Sequence, residues 1–325
     1  MRIDIYGFRE PPFLMTPDAR LFFPSTVHSR AYAHLMYGLA QGEGFVVVTG
    51  EVGAGKTTLI ERLCAELDPA TYVVGRIATT QVQGDDLLRL VADAFGAPAE
   101  GEKAAVLRGI MAALRGSPRR HVLIVDEAQA LSHAALEELR MLSNVTDGNR
   151  ALLQTILLGQ PQLRRLIASP DLDQLRQRIL ASFHLGGLSE AEVRSYVEHR
   201  MRAVGWAGNP SWDEQAFAVL HRHTDGIPRR INRLCSRVLL AGALEQAPHL
   251  SASLVEMTAA ELDEDLGAGA EGGMSAAASR GLPAGMVEQV EDLAQRVEAL
   301  ERSAARRERV LNRLMGLFAE TGGDR

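Results

Sequence analysis

The chain has 325 residues, enough to bury a large core and form roughly two domains. An apolar fraction of 46% describes a soluble globular protein, and a net charge of −6 argues against a generally basic nucleic-acid binder. Cys64 and Cys235 lie far apart in apolar stretches and read as buried thiols. With no apolar leader and no run of 18 apolar residues, the expected setting is cytoplasmic.

Residues 1–27 are crowded with aromatics and prolines, in Tyr6-Gly7-Phe8, Pro11-Pro12-Phe13, Thr16-Pro17-Asp18 and Phe22-Phe23-Pro24. That density predicts an extended arm packed on the domain that follows. A helix is expected from His28 to Gln41, with Ala31, Leu35, Met36 and Leu39 on one face. Next comes the stretch around which the chain is organised. Gly44-Phe45-Val46-Val47-Val48-Thr49 reads as a buried parallel strand, and Leu59-Ile60-Glu61-Arg62-Leu63 as a helix. Between them lies Gly50-Glu51-Val52-Gly53-Ala54-Gly55-Lys56-Thr57-Thr58, the spacing of a phosphate-binding loop.

Each residue type in that loop has a task. Gly50, Gly53 and Gly55 let the backbone turn tightly and point its N–H groups at an anion, and the following helix adds its positive end. Lys56 supplies a compact cation for β- and γ-phosphates, and the Thr57 hydroxyl a ligand for Mg²⁺. Lys56 and Lys103 are the only lysines among 35 basic residues, the other 33 being arginine. A lysine at the one place that needs a point charge is therefore informative.

A second strand is expected over Thr71–Ala78, then helices over Asp85–Phe95 and Glu102–Arg115. The apolar run from His121 ends in Asp126-Glu127. Asp126 suits Mg²⁺ ligation, directly or through water, and Glu127 suits polarising a water for attack on a γ-phosphate. A strand interposed between loop and acid pair points to the ATPase branch that carries a glutamate base. A helix over Ala134–Asn144 leads to a strand from Leu152 to Gly159, which ends at Gln160, placed to touch a γ-phosphate or its water. Arg176 and Arg178 follow on a helix end before a last strand, Ser182–Leu185, and either could reach a phosphate held by a neighbouring subunit.

From Leu188 the pattern is helical. Ser189-x-x-Glu192, Ser211-x-x-Glu214 and Ser253-x-x-Glu256 read as capping boxes at three helix starts. Gly226 closes one helix and Pro228 opens the next, putting Arg229 in a first turn. A cation there opposes the helix dipole, which makes sense if it faces a phosphate. The Gly/Ala/Ser-rich stretch 266–284 reads as a linker. Met286, Val290, Leu293, Val297 and Leu300 open a 3-4 seam that continues through Ala304, Leu311, Leu314 and Phe318, broken only at Arg307. It predicts a coiled coil over 285–320 that self-pairs or docks on a partner coil, the competing reading being a single amphipathic helix folded back on the body.

On these residues the chain resembles AAA+ ATPases of the ExeA/GspA type, including the shorter exosortase/exopolysaccharide-associated subgroup. The resemblance covers about residues 1–265. It rests on Tyr6–Phe13 with Thr16-Pro17-Asp18, Gly44–Thr58 (Walker A), Val125-Asp126-Glu127-Ala128-Gln129 (Walker B), Leu158–Leu163 and Gly226–Asn232. It implies a P-loop NTPase fold of the AAA+, ASCE branch: a parallel α/β sandwich (28–187) preceded by the arm (1–27) and followed by an all-helical lid (188–265). It further implies that Gln160 is the first sensor, Arg229 the second, and Arg176 or Arg178 the arginine finger. Full secretion members continue into a membrane segment and a peptidoglycan-binding domain, for which this sequence has no counterpart.

The expected function is hydrolysis of ATP with Mg²⁺ by a homo-oligomer. That cycle would drive or regulate an envelope secretion or exopolysaccharide-export machine, with recruitment to the inner membrane by a partner. The competing expectation is a DNA-associated regulator resembling the transposition ATPases TniB and MuB, with Arg164-Arg165 and Arg229, Arg230, Arg233 and Arg237 on phosphates. In either case the arm is a structural cover, a wall of the adenine pocket or a contact to a neighbour.

Overall fold

The computed structural model describes residues 4–14, 19–78 and 84–267. The coiled coil expected over 285–320 and all but the first two residues of the expected linker fall outside these ranges. Residues Met1–Asp265 form one compact unit. Its order is α1 (Thr26–Gln41), β1 (Phe45–Gly50), α2 (Lys56–Glu66), β2 (Tyr72–Ala78), α3 (Gly84–Ala94), α4 (Lys103–Arg115), β3 (Arg120–Asp126) and α5 (His133–Ser143). A short antiparallel pair, β4 (Thr146–Asp147) with β5 (Arg150–Ala151), precedes β6 (Leu153–Gly159), α6 (Pro161–Ile167), α7 (Asp173–Arg176) and β7 (Ile179–Leu185). A helical bundle closes the unit: α8 (Glu190–Ala203), β8 (Ser211–Trp212), α9 (Glu214–Thr224), α10 (Pro228–Leu244), β9 (His249–Leu250) and α11 (Ala252–Gly267).

The five long strands form one parallel sheet in the order β2-β3-β6-β1-β7. Their apolar runs are explained by burial on both faces, with period-two side chains divided between two cores. Phe45, Val47, Leu123, Val125, Leu153 and Leu157 pack beneath α3, α4 and α5. Val46, Val48, Val122, Ile124, Ile156 and Leu158 pack beneath α1 and α2. Gln154 interrupts β6 without penalty, because its buried side-chain amide donates to the Gly38 and Glu43 carbonyls at 2.7 and 2.9 Å. The last strand begins three residues earlier than the apolar pattern suggests, since the Phe45 N–H bonds the Arg178 carbonyl and draws Ile179–Ala181 into register with β1.

A third core fills the bundle and includes Tyr6 and Phe13 of the N-terminal segment. The Tyr6 hydroxyl donates to the Ala247 carbonyl, 241 residues away. The bundle's helix starts depart from two of the three expected capping boxes. Ser189 with Glu192 is a reciprocal box on α8, a device worth about 1 kcal/mol. Ser211 is instead a residue of β8, paired with His249, and Asp213 is the N-cap of α9. On α11 the capping hydroxyl belongs to Ser251, which accepts from the Leu254 N–H, two residues before the expected Ser253. In both cases parallel pairing of β8 with β9 fixes where the next helix can begin, and local sequence does not report that pairing.

Candidate active site

At the carboxyl end of the sheet, the turn between β1 and α2 forms an open cradle. Gly53 and Gly55 have φ of 85° and 100°, left-handed values that side chains disfavour. Both are also crowded. A Cβ on Gly53 would lie 2.2 Å from the Arg229 Cβ, and one on Gly55 would lie 2.4 Å from the His28 Nε2. Gly50 is required for a different reason, close approach by the neighbouring strand: its Cβ would meet the Leu185 carbonyl at 2.6 Å. Lys56 is buried, and its Nζ donates to the Gly50 and Glu51 carbonyls at 2.7 and 3.0 Å. Burial lowers its pKa, opposed by the negative charges of Glu127, Asp126 and Glu51.

The cavity over this cradle measures about 330 Å³, within the roughly 300–1,000 Å³ of small-molecule sites. It is lined by Val52, Gly53, Gly55, Lys56, Thr57 and Thr58, with Asp126 and Glu127 from β3 and its exit and Arg229 from α10. Leu14, Leu21, Phe22 and Phe23 of the arm line the same cavity, with His28, Tyr196, Arg200 and Asn232. The arm thus forms cavity wall as well as bundle cover. His28 couples it to the loop, its Nδ1 lying 2.7 Å from the Ser25 hydroxyl. Burial lowers the His28 pKa, against hydrogen bonding to the Ala54 backbone and the charge of Glu192, so the ring is held neutral.

Arg229 is the second residue of α10, and its N–H bonds the Gly53 carbonyl at 3.2 Å, docking the helix start on the loop. Glu127 sits just past β3 with φ of 52°, an unfavourable conformation for a residue other than glycine, and its N–H bonds Asp126 Oδ1 at 2.8 Å. Gln160 Nε2 donates to Glu127 Oε2 at 3.2 Å, so the polar end of β6 meets the acid pair. Gly50, Glu51 and Ala54 shape the loop without lining the cavity. Arg176 and Arg178 are not in this constellation either. Arg176 pairs with Asp173 on its own turn, and Arg178, just beyond the helix, donates to the Ser143 carbonyl at 3.3 Å.

Gln129 was not assigned a role from sequence. Its Oε1 accepts the Gln160 N–H at 2.9 Å, and its Nε2 donates to Glu127. The backbone donor settles which way the amide faces. The only sequence signal was its place two residues after the acid pair. Gln129→Glu sets a second carboxylate beside Glu127 and opposes its ionisation. Steady-state kinetics across pH should show the acid limb of kcat moved up by about one unit. An unmoved limb removes Gln129 from this arrangement.

The donor set fits a nucleoside triphosphate with Mg²⁺. Thr57 and Asp126 offer hard oxygens, and no cluster of three or more His, Cys, Asp or Glu among the described residues forms a complete metal cage. Mg²⁺ needs none, since phosphates and water complete its shell.

Residues 39–167 match the AAA domain family. General secretion pathway protein A of Aeromonas hydrophila is 39% identical over 246 residues, covering 74% of this chain and 45% of that protein. This chain belongs to the AAA+ family and is similar to its ExeA/GspA type. The Holliday junction branch migration complex subunit RuvB of an Anaeromyxobacter species is 27% identical over 251 residues, covering 73% of this chain and 63% of that protein. The chain therefore spans about half to two-thirds of the length of these curated relatives. The AAA+ fold likeness extends to the ORC1 protein of Aeropyrum pernix in complex with DNA, at TM-score 0.56 and 15% identity over 79% of this chain and 70% of that one. Cdc6p of Pyrobaculum aerophilum gives TM-score 0.55 at 17% identity over 72% and 68%. In this AAA+ chain no helix among the described residues is long and apolar enough to cross a membrane.

Proposed function

We propose that this chain binds and hydrolyses Mg-ATP as a homo-oligomer, and that the cycle drives or regulates an envelope secretion or exopolysaccharide-export machine from the cytoplasmic face of the inner membrane. The observation that carries the chemistry is the opening of Lys56, Thr57, Asp126, Glu127 and Arg229 onto one cavity. Backbone N–H groups of the loop and Lys56 hold the phosphates. Thr57 and Asp126 would hold Mg²⁺, which when bound would supply positive charge against the phosphates. Glu127 takes a proton from the attacking water, and Gln160 and Gln129 orient that carboxylate. Arg229 carries the γ-phosphate's state into α10, making the bundle a lid. Arg176 or Arg178, both outside the chain's own cavity, serves a neighbour's phosphate as arginine finger.

The secretion reading is supported by the 39% identity to general secretion pathway protein A. The expected coiled coil would be its docking or pairing element. A second reading, a DNA-associated regulator, draws on Arg230, Arg233 and Arg237, exposed along α10. Steady-state ATPase rate against protein concentration, with and without duplex DNA at moderate salt, separates them. Specific activity that rises with concentration and ignores DNA supports shared sites and the secretion reading. Strong DNA stimulation, lost as salt increases, transfers the conclusion to the regulator.

A further inference from the structure

Ala54, at the crest of the phosphate loop, is fully buried, yet among the described residues no backbone N–H reaches its carbonyl. Nor does a backbone carbonyl accept the neighbouring Gly55 N–H. A buried carbonyl needs a donor, and His28 is in place to supply one. The ring is buried, and its Nε2 faces this turn, 2.4 Å from where a Cβ on Gly55 would lie. Its hydrogen bond to the Ala54 backbone favours the protonated ring, as donation to a carbonyl does. On the opposite side of the ring, Nδ1 lies 2.7 Å from the buried Ser25 hydroxyl, which also accepts the His28 N–H at 3.2 Å. With the proton on Nε2, Nδ1 is free to accept from Ser25, so a single neutral tautomer satisfies both contacts.

The Ala54 carbonyl and the Gly55 N–H belong to one planar trans peptide, so they point in opposite directions. That plane does not fix itself, because a glycine accepts either sign of φ at little cost. Whatever holds the carbonyl therefore aims the N–H. We propose that His28 is a positioning residue of the phosphate loop: its Nε2–H holds the Ala54 carbonyl and thereby turns the Gly55 N–H toward the phosphates. This assignment rests on the nucleotide reading above. The hold has a firm base. Ser25 is the N-cap of α1, and the next N–H, that of Thr26, bonds Glu192 Oε1 at 2.7 Å in the first turn of α8. The turn that carries His28 is thus seated on the helical bundle as well as on the loop.

Equilibrium binding of ATP and of inorganic tripolyphosphate, both with Mg²⁺, tests it in two variants. The amide of His28→Gln reaches as far as the ring's Nε2 and can still donate to Ala54, whereas that of His28→Asn reaches only as far as Nδ1. His28→Asn should weaken both ligands alike, by about three- to tenfold, the range for one hydrogen bond between neutral groups. His28→Gln should stay within about twofold of wild type for both. No loss in His28→Asn, equal losses in the two variants, or a loss confined to ATP overturns the proposal, the last by making the ring a contact to the nucleoside. Should both variants fail to fold, the imidazole ¹⁵N shifts of the wild-type chain decide. At neutral pH His28 should carry its proton on Nε2, and a proton on Nδ1 overturns the proposal. Wild-type protein that binds neither ligand would instead overturn the nucleotide reading itself.

Discussion

Replacing Glu127 by Gln should lower kcat for ATP by about 10²–10⁴-fold, the range a positioned general base contributes, while nucleotide affinity stays within a few-fold of wild type. The substitution is nearly isosteric. Its amide oxygen can still accept from Gln129 and Gln160, which reach Glu127 in the native chain. What is lost is the basicity that removes a proton from water. The backbone at this position argues for the same role. A non-glycine residue with φ of 52° is held there at a cost of order 1–3 kcal/mol, and such residues cluster where a side chain must be aimed. Single-turnover kinetics with measurement of bound nucleotide should therefore find ATP retained and uncleaved. Turnover at the wild-type rate removes Glu127 from the base role.

Lys56→Ala should weaken ATP binding by about 10–100-fold, as expected for loss of a charged hydrogen bond worth about 1.5–3 kcal/mol. Two effects add. The cation facing the phosphates disappears, and the Gly50 and Glu51 carbonyls lose the donor that fixes the loop. Arginine is no substitute, since its planar fork is larger than the compact ammonium, whose burial is already enough to lower its pKa. Titration with a fluorescent nucleotide measures the loss. An affinity within twofold of wild type would exclude Lys56 as the phosphate anchor.

The parts of this architecture legible in the sequence are those encoded by neighbours. The apolar runs of β1, β3 and β6 announce buried parallel strands because burial on both faces removes alternation. The phosphate loop and the Asp126-Glu127 pair are contiguous, and Pro228 after Gly226 correctly puts Arg229 in a first turn. The parts that were not legible depend on partners far along the chain. Gln129 acquires its place only when Gln160 arrives from 31 residues away. Arg200 meets Pro12 across 188 residues, and no local pattern distinguishes it from the exposed arginines around it. Ser211 matches a capping box in every local respect and is claimed by a strand whose partner lies near residue 249.

The contact between Gly53 and the start of α10 has a mechanical consequence. Seventeen residues make α10 about 26 Å long at 1.5 Å per residue, and its first turn rests on the loop through the Arg229 N–H. A tilt of about 5° at that seat sweeps the far end by about 2 Å on the same helical rise. Leu244, at that end, is 78% exposed. A rigid α10 tilted at that seat would therefore carry a sub-ångström adjustment of the cradle to an exposed apolar side chain at its far end.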